Sequence, residues 1–217
     1  MDGLAQVAAY ATADFDEPHQ RLVDALVARF GDRLATGGDV RVLDLGCGPA
    51  DVTVRLARAL PTATVVGVDG ANAMVVEGRA RLEREGLTDR VELRLLRLPS
   101  ADLGAEGWSL VVSTSVLHHL PDPDVLWSSV ATTAGPGTAV FVGDLVRPGS
   151  AAAVDALVDR EAAGEPEVLR ADFRASLHAA YRVDEVAAQL AAAGLDGWLR
   201  AEPFGDRHLV VTGVRPG

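Results

Sequence analysis

Residues 42–50 decide the fold, and they read V-L-D-L-G-C-G-P-A. An apolar strand leads there directly into a glycine-rich turn and then into a helix. Gly46 and Gly48 allow positive φ angles and let a ligand approach the backbone where a Cβ atom would collide. Asp44 stands inside the apolar strand, and burying a carboxylate is costly unless it meets a partner or a solvated strand end. We therefore expect Asp44 to face a ligand or the amides of the turn.

A second apolar strand, residues 65–69 (V-V-G-V-D), ends in an acid 25 positions after Asp44. In nucleotide-binding α/β folds a carboxylate at the tip of this strand accepts both hydroxyls of a ribose. Asp69 is therefore predicted to bind ribose. The competing interpretation is that Asp69 only caps the helix that begins near Ala71. Its pairing with the glycine turn favours the ribose.

Strands and helices alternate along the rest of the chain. Strands are predicted at residues 40–45, 64–68, 91–98, 110–113 and 138–144. Helices are predicted at residues 18–30, 51–60, 71–85, 123–134, 150–163 and 183–193, with a less regular stretch at 165–180. Two β-rich runs, 198–202 and 208–214, flank a turn at 203–206 and predict a closing antiparallel hairpin. This order predicts an α/β, Rossmann-like three-layer sandwich with a mostly parallel seven-stranded sheet, whose ligands bind at the carboxyl ends of the strands.

The 217 residues suit one domain with a substantial core. Its predicted parts are an N-terminal helical lid (1–36), a cofactor-binding core (37–146), a cap insertion (147–182) and the last helix with the closing strands (183–217). We expect a monomer or a homodimer.

The chain carries 31 acidic and 20 basic residues, a formal net charge of -11. Such a charge repels phosphate backbones and anionic membrane surfaces, so nucleic acid and membranes are disfavoured partners. Cys47 is the single cysteine, which excludes an internal disulfide. Because no secretory signal and no membrane-spanning apolar run is found, the sequence predicts a cytoplasmic protein.

The motif Asp44-Leu45-Gly46-Cys47-Gly48, together with Asp69, resembles the cofactor signature of the class I S-adenosylmethionine-dependent methyltransferases. Residues 110–124, L-V-V-S-T-S-V-L-H-H-L-P-D-P-D, resemble that family's fourth strand and the following loop, and the resemblance covers residues 20–146. It implies S-adenosylmethionine (SAM) as cofactor and S-adenosylhomocysteine (SAH) as product. It also implies that Asp44 organises the amino group of the cofactor and that Asp69 holds the ribose. The cofactor-binding residues predicted in this way are Asp44, Gly46, Cys47, Gly48, Asp69, Gly70, Leu98, Ser113 and Tyr10.

The sequence departs from the family pattern at two places. Position 50 is Ala where the family often has a third glycine, although a small residue still permits close packing. No acid directly follows the third strand to read the adenine amino group, and Asp102 stands late for that role. We therefore expect backbone groups near Arg97 and Leu98 to recognise the adenine.

His118 and His119 follow the fourth strand, where family members often carry polar residues that face the reacting centre. One of them could take a proton from a substrate, because histidine titrates near neutrality. The alternative is that the pair only shapes the loop before Pro121 and packs on the cofactor. No third ligand at a sensible spacing supports a metal site.

Four further residues are candidates for the wall of the pocket. Asp144 ends the fifth strand, Tyr181 lies in the predicted cap, and Tyr10 and Phe15 could close over the ligand as a lid. Aromatic rings suit a sulfonium because ring faces attract cations. For each residue, ordinary packing is the competing interpretation. Cys47 fits the turn as a small residue rather than as a nucleophile, because no adjacent base is evident.

The resemblance implies methyl transfer from SAM to a small-molecule acceptor, in bacterial secondary metabolism. One alternative is an enzyme of the same fold that makes the amine of SAM attack its own methionine side chain. That azetidine-2-carboxylate type of cyclisation releases methylthioadenosine and needs no acceptor. A second alternative is a SAM-binding partner subunit without turnover. Product analysis separates the three.

Overall fold

The computed structural model describes residues 16–36, 38–104 and 107–217. The α-helices are α1 (Asp16–Ala35), α2 (Asp51–Ala59), α3 (Asn72–Glu85), α4 (Asp124–Thr133), α5 (Ala151–Glu161), α6 (Glu167–Ala179) and α7 (Val183–Ala192). The strands are β1 (Arg41–Leu45), β2 (Thr64–Asp69), β3 (Val91–Leu95), β4 (Leu110–Thr114), β5 (Ala139–Leu145), β6 (Leu199–Phe204) and β7 (His208–Val214). Short 3-10 helices cover Ala101–Leu103 and Leu117–His119. No described helix is long and apolar enough to cross a membrane.

The seven strands form one sheet in the order β3-β2-β1-β4-β5-β7-β6. Neighbouring strands from β3 to β5 are parallel, whereas β7 pairs antiparallel with both β5 and β6. The chain thus crosses from one side of β1 to the other between β3 and β4. Such a crossing leaves a crevice at the carboxyl ends of the central strands, where ligands of open α/β sheets bind. The predicted Rossmann-like sheet with its antiparallel closing hairpin is confirmed.

Apolar side chains on both faces of the sheet build the core. In β1, Val42 packs in the cluster beneath α1, α2 and α3, while Leu43 packs in the cluster beneath α4 and α7. Strands covered on both faces carry near-continuous apolar runs because each residue meets a helix layer. A smaller cluster joins α5 to α6 and reaches the end of β5 through Leu145. These two helices therefore lie over the carboxyl edge of the sheet.

The structure corrects several predicted boundaries. The first helix, predicted at 18–30, runs from Asp16 to Ala35. The third strand ends at Leu95 rather than Leu98, because the Leu96 amide makes a last bond to the Asp69 carbonyl before the chain turns away. Residues 165–180, predicted as less regular, contain the helix α6. The predicted turn at 203–206 is shorter, because β6 continues through Pro203 to Phe204. Proline is tolerated there since β6 is an edge strand and needs no outward N–H bond.

Candidate active site

The glycine turn after β1 is fixed by β2. The backbone amides of Gly46 and Cys47 donate to the Val68 carbonyl oxygen at 2.8 and 3.0 Å. Gly46 has a φ of 76°, and a Cβ atom there would collide with the Val116 side chain. Gly48 has a φ of 52°, and a Cβ atom there would meet no heavy atom within 4 Å. The backbone of the turn is thus open to a ligand above Gly48.

Asp69 ties the end of β2 to this turn. One carboxylate oxygen accepts the Gly48 amide at 3.0 Å, and the other accepts the Ala71 amide at 2.8 Å. A carboxylate has about four lone-pair positions, so both oxygens can accept a further donor such as a ribose hydroxyl. The bond from the Ala71 amide also supports the capping interpretation, because α3 begins one residue later. The two roles are compatible.

Asp44 is buried beside the turn with one oxygen unsatisfied. Its Oδ2 accepts the Thr53 hydroxyl at 2.7 Å, whereas its Oδ1 has no hydrogen-bond partner among the residues that the structure describes. Burial raises the pKa of Asp44 to about 6, with the Thr53 bond opposing that shift and the charge of Asp69 adding to it. A buried acceptor without a donor is rare unless a ligand supplies the donor. The ammonium group of a SAM methionine chain fits this oxygen.

Three other predicted cofactor residues lie around the same edge. Burial raises the pKa of the Cys47 thiol well above its usual value, so Cys47 is held as a thiol and does not act as a nucleophile. Gly70 lies against Arg97, with 3.7 Å from its ideal Cβ position to the Arg97 Cα atom. Leu98 is half-buried against the α4–α7 side of the core. Gly70 and Leu98 thus border the place predicted for adenine.

Ser113 is used within the sheet. Its hydroxyl is buried and donates to the Leu45 carbonyl at 2.8 Å, which ties β4 to β1 next to the turn. The hydroxyl proton is therefore engaged by the protein itself. Contact of Ser113 with a cofactor stays a prediction.

His118 and Asp144 form a buried pair at the ends of β4 and β5. The Nδ1 atom of His118 lies 2.5 Å from Asp144 Oδ1. Asp144 also accepts the amides of Leu117 and Leu145, both at 2.7 Å, so its carboxylate is held in place by the backbone. An imidazole that uses Nδ1 in this way presents Nε2 as its remaining proton acceptor. The pair has the arrangement of a general base and its orienting carboxylate.

The other two predicted catalytic residues that the structure describes are His119 and Tyr181. His119 is exposed, with its ring centroid 3.9 Å from that of His118. Tyr181 packs on the α4–α7 side of the core, and its carbonyl accepts the Arg147 amide at 3.1 Å. The structure therefore brings His118 and Asp144 together and does not bring Tyr181 to them. Tyr10 and Phe15 lie outside the described residues.

A cavity of about 260 Å³ opens beside His118. Its walls come from the start of α1, the end of α5, the exposed turn of α6 and the first residue of β7, with Ser115 and Leu145 at the sheet. Ser115 has a φ of 56°, and its amide donates to the Gly143 carbonyl at 2.9 Å. A non-glycine residue in this conformation is strained, and such strain clusters at functional sites.

Sequence reasoning missed several residues of this cavity, among them Ser115, Phe173, Arg207 and His208. Ser115 stands in the quoted fourth-strand motif without distinction from its neighbours. His208 had a usable signal, since it is the one ionisable residue of the apolar run H-L-V-V-T-G-V. Antiparallel pairing puts it opposite Leu145 and so brings it to the carboxyl edge of β5.

A network around Asp51 joins the cavity wall to the helix that follows the glycine turn. Asp51 accepts from His19 Nδ1 at 2.8 Å, Arg55 Nε at 3.0 Å and Arg81 at 3.0 Å. Although burial opposes it, the bonds from His19 and Arg55 lower the pKa of Asp51 far below its usual value. His19 also lines the cavity. The network therefore fixes α1 against α2. Among the described residues, no His, Cys, Asp and Glu group is arranged to hold a metal ion.

Residues 43–140 match a family model described as a methyltransferase domain. A ubiquinone biosynthesis O-methyltransferase from Hahella chejuensis is 30% identical over 138 residues, 63% of this chain and 56% of that protein. A 23S rRNA (uracil(1939)-C(5))-methyltransferase from Stenotrophomonas maltophilia is 38% identical over 81 residues, 37% of this chain and 18% of that protein. The solved structure of the plantazolicin methyltransferase BpumL in complex with SAH superposes with a TM-score of 0.74 at 11% identity, covering 98% of this chain and 90% of that one.

The matched core thus resembles a methyltransferase domain in sequence, and the sheet has the strand order of the Rossmann-like methyltransferase fold. This match supports the resemblance inferred from the glycine turn. The chain spans between about a quarter and a half of the length of the first curated relatives it matches. The likeness to the solved structure concerns the fold.

Proposed function

We propose that the protein is a SAM-dependent methyltransferase that acts on a small-molecule acceptor. One observation carries this proposal: the loop after β4 touches both halves of the site. Val116 of this loop packs against Gly46 of the turn, while Ser115 and His118 line the cavity. A cofactor on the turn and an acceptor in the cavity would therefore meet at this loop.

The residues at the turn fit SAM. When bound, SAM supplies a methyl group attached to a positively charged sulfur. SAH, a neutral thioether, is the leaving group of the transfer. Asp44 Oδ1 would accept from the ammonium group, since it is the buried acceptor without a donor. Asp69 would accept the ribose hydroxyls, and the open face above Gly48 would receive the methionine part. Positioning of this kind supplies much of the acceleration of a displacement reaction.

His118 would act as the general base. Its Nε2 would take the proton of the acceptor's O–H or N–H group as the nucleophile bonds to the methyl carbon. Asp144 accepts from Nδ1 and would stabilise the imidazolium that forms. His118 is only 8% exposed, so the acceptor can displace the water around it. Burial strengthens the interaction between the two side chains because screening by water is reduced.

A small acceptor is supported by the size of the cavity, about 260 Å³ between α1, α5 and α6. The net charge of -11 also supports a small molecule over a polynucleotide, because phosphate backbones are repelled. We place the enzyme in bacterial small-molecule biosynthesis, where the ubiquinone relative acts. Secondary metabolism is our proposal for the pathway type. A cytoplasmic monomer or homodimer remains our expectation.

Methyl-labelled SAM offered with a panel of small phenols, alcohols and amines, and separately with ribosomal RNA, tests this proposal. We expect label on at least one small molecule, and none on RNA. Label on RNA alone would contradict the small-molecule acceptor. If SAH binds but no label moves to any acceptor, the partner-subunit alternative would replace ours.

A further inference from the structure

Carboxylates outnumber guanidinium groups around the cavity. Glu17, Glu161, Glu165 and Asp172 line it, against one guanidinium, that of Arg207, within the described part of the chain. These acids come from α1, from α5 and from the segment that leads into α6 and its first turns. Glu17 and Glu161 are exposed and Glu165 and Asp172 are partly exposed, so we take this side of the cavity as its entrance. A ligand that enters between them meets a negative potential.

The charge of Arg207 is already matched within the wall. Its guanidinium lies 2.8 Å from Glu161 Oε2 and 5.8 Å from the centre of the Phe173 ring. Burial lowers its pKa, with Glu161 and Asp206 opposing that shift. Arg207 therefore offers little to an anionic ligand. The carboxylates of Glu17 and Glu165 accept no hydrogen bond from another described residue, and the charge of Glu17 acts on Arg207 only through space.

A second imidazole, that of His208, lines the cavity. His208 is 9% exposed and lines the cavity, and its ring makes no hydrogen bond with another described residue. Burial, followed by the nearby charge of Arg207, lowers the pKa of His208 to about 4, so the ring is neutral. A neutral imidazole has one donor and one acceptor nitrogen. A hydroxyl group of a ligand in the cavity can serve either nitrogen.

We propose that the acceptor is a small cationic molecule with a hydroxyl group. The hydroxyl binds at the inner end, where His118 and His208 lie, and the ammonium group binds at the entrance, near Glu17 and Glu165. This inference rests on the proposed function, because it treats the cavity as the acceptor site. It makes Glu17, Glu165 and His208 specificity-determining residues.

Four probes with one aromatic skeleton separate the two halves of the inference. Tyramine has the hydroxyl and an ammonium group, 4-hydroxyphenylacetate replaces the ammonium by a carboxylate, 4-ethylphenol is neutral, and phenethylamine lacks the hydroxyl. Calorimetry with saturating SAH measures their affinities. We expect tyramine to bind at least about tenfold more tightly than each of the others. Equal or tighter binding of 4-hydroxyphenylacetate, or no binding of tyramine, would overturn the inference.

Variants assign the preference to the named side chains. In a Glu17→Gln, Glu165→Gln double variant, tyramine should lose its advantage over 4-ethylphenol, whose own affinity should not change. Glu83→Gln, on the exposed face of α3, is the matched control and should keep the advantage. In His208→Ala, tyramine should weaken and phenethylamine should not. If tyramine still bound more tightly than 4-ethylphenol to the double variant, its ammonium group would bind elsewhere and the inference would be wrong.

The same samples separate this inference from the function on which it rests. If wild-type protein binds SAH and methylates other acceptors while preferring the carboxylate probe, only the cationic acceptor is wrong. If SAH itself does not bind, the proposed function is wrong. Loss of SAH binding in the double variant would show damage to the fold, and Glu17→Gln and Glu165→Gln alone would then be compared.

Discussion

The turn after β1 and the cavity beside α5 and α6 lie at the same edge of the sheet and are built in opposite ways. The turn draws its polar groups from two short segments, 44–48 and 69–71, whose own amides satisfy Asp69. The cavity draws its groups from α1, the loop after β4, the helices α5 and α6, and β7. The turn thus offers two strand-end carboxylates held by local backbone amides, whereas the cavity offers side chains from separate elements.

This difference teaches which part of the site is free to vary. A ligand held by backbone amides and two strand-end acids depends on the fold itself. A cavity walled by side chains from separate helices can change its preference without changing the sheet. We therefore expect substitutions in the two regions to have separable effects on cofactor affinity and on acceptor chemistry.

The largest effect is expected in the cavity. Replacing His118 by Ala removes the proposed base, and kcat should fall about a hundredfold or more while SAH affinity stays nearly constant. Steady-state kinetics with an acceptor from the panel and calorimetry with SAH measure the two quantities. His119→Ala is the comparison, because that ring is exposed, and its effect should be much smaller. A parallel fall in SAH affinity would show that the turn and the cavity are not separable, which would contradict our expectation.

Asp69 should give the largest effect at the turn. Asp69→Ala removes the acceptor of the Gly48 amide and the proposed ribose contact, which costs about 2–3 kcal/mol, or roughly 30- to 150-fold in affinity. Calorimetry of SAH binding measures the loss. Asp89→Ala, an exposed acid before β3, is the control and should bind SAH as the wild type does. Unchanged affinity in Asp69→Ala would refute the ribose contact.

The glycine turn and the sheet were largely predictable from the sequence, because their signals are local. Asp44, Gly46, Gly48 and Asp69 stand in two short motifs at the ends of apolar strands. The exact end of the third strand was not predictable, since residues 96–98 are as apolar as the strand before them. The end of β3 is set by where the chain must turn to begin its connection to β4, on the other side of β1.

The cavity could not be assembled from the sequence. His208 meets Leu145 only through the register of an antiparallel pair, and no local pattern fixes that register. The helix α6 was underestimated because Leu177 is its one fully buried residue, which gives a weak periodic pattern. His118 and Asp144 were both named from the sequence as polar residues after strands. Their contact is a product of the β4–β5 pairing.

A smaller effect follows from the pKa of Asp44. Burial raises the pKa of this carboxyl to about 6, above the ordinary value for an aspartate. The folded state therefore holds its proton more tightly than the unfolded state does. The contribution of Asp44 to stability is most favourable below pH 4 and is lost as the pH rises to about 6.

A bound ammonium group needs the ionised form of Asp44. SAH affinity should therefore rise about tenfold between pH 5 and pH 7, because protonation at the lower pH competes with the ligand. Calorimetry across this range measures the rise, and Asp44→Asn should remove it. A flat profile in the wild type would show that the unsatisfied oxygen does not contact the ligand.

The smallest effect concerns the link between the regions. His19→Gln breaks the partly buried pair with Asp51 and should lower stability by about 1 kcal/mol, or roughly 2–4 °C in Tm. Because the folded pKa of Asp51 lies below its unfolded value, this stabilisation is present above pH 4 and is lost as the pH falls. Thermal unfolding at pH 7 measures the shift, with the exposed His178→Gln as control. Equal Tm values for His19→Gln and His178→Gln would show that the His19–Asp51 pair does not stabilise the protein.

The most direct test of methyl transfer identifies the nucleoside that the protein makes from SAM. Purified protein is incubated with SAM, with and without an acceptor that takes up label, and the nucleoside is identified by mass. We predict SAH, formed only when the acceptor is present and lost in His118→Ala. Methylthioadenosine formed without any acceptor would contradict the account and would establish the intramolecular cyclisation instead.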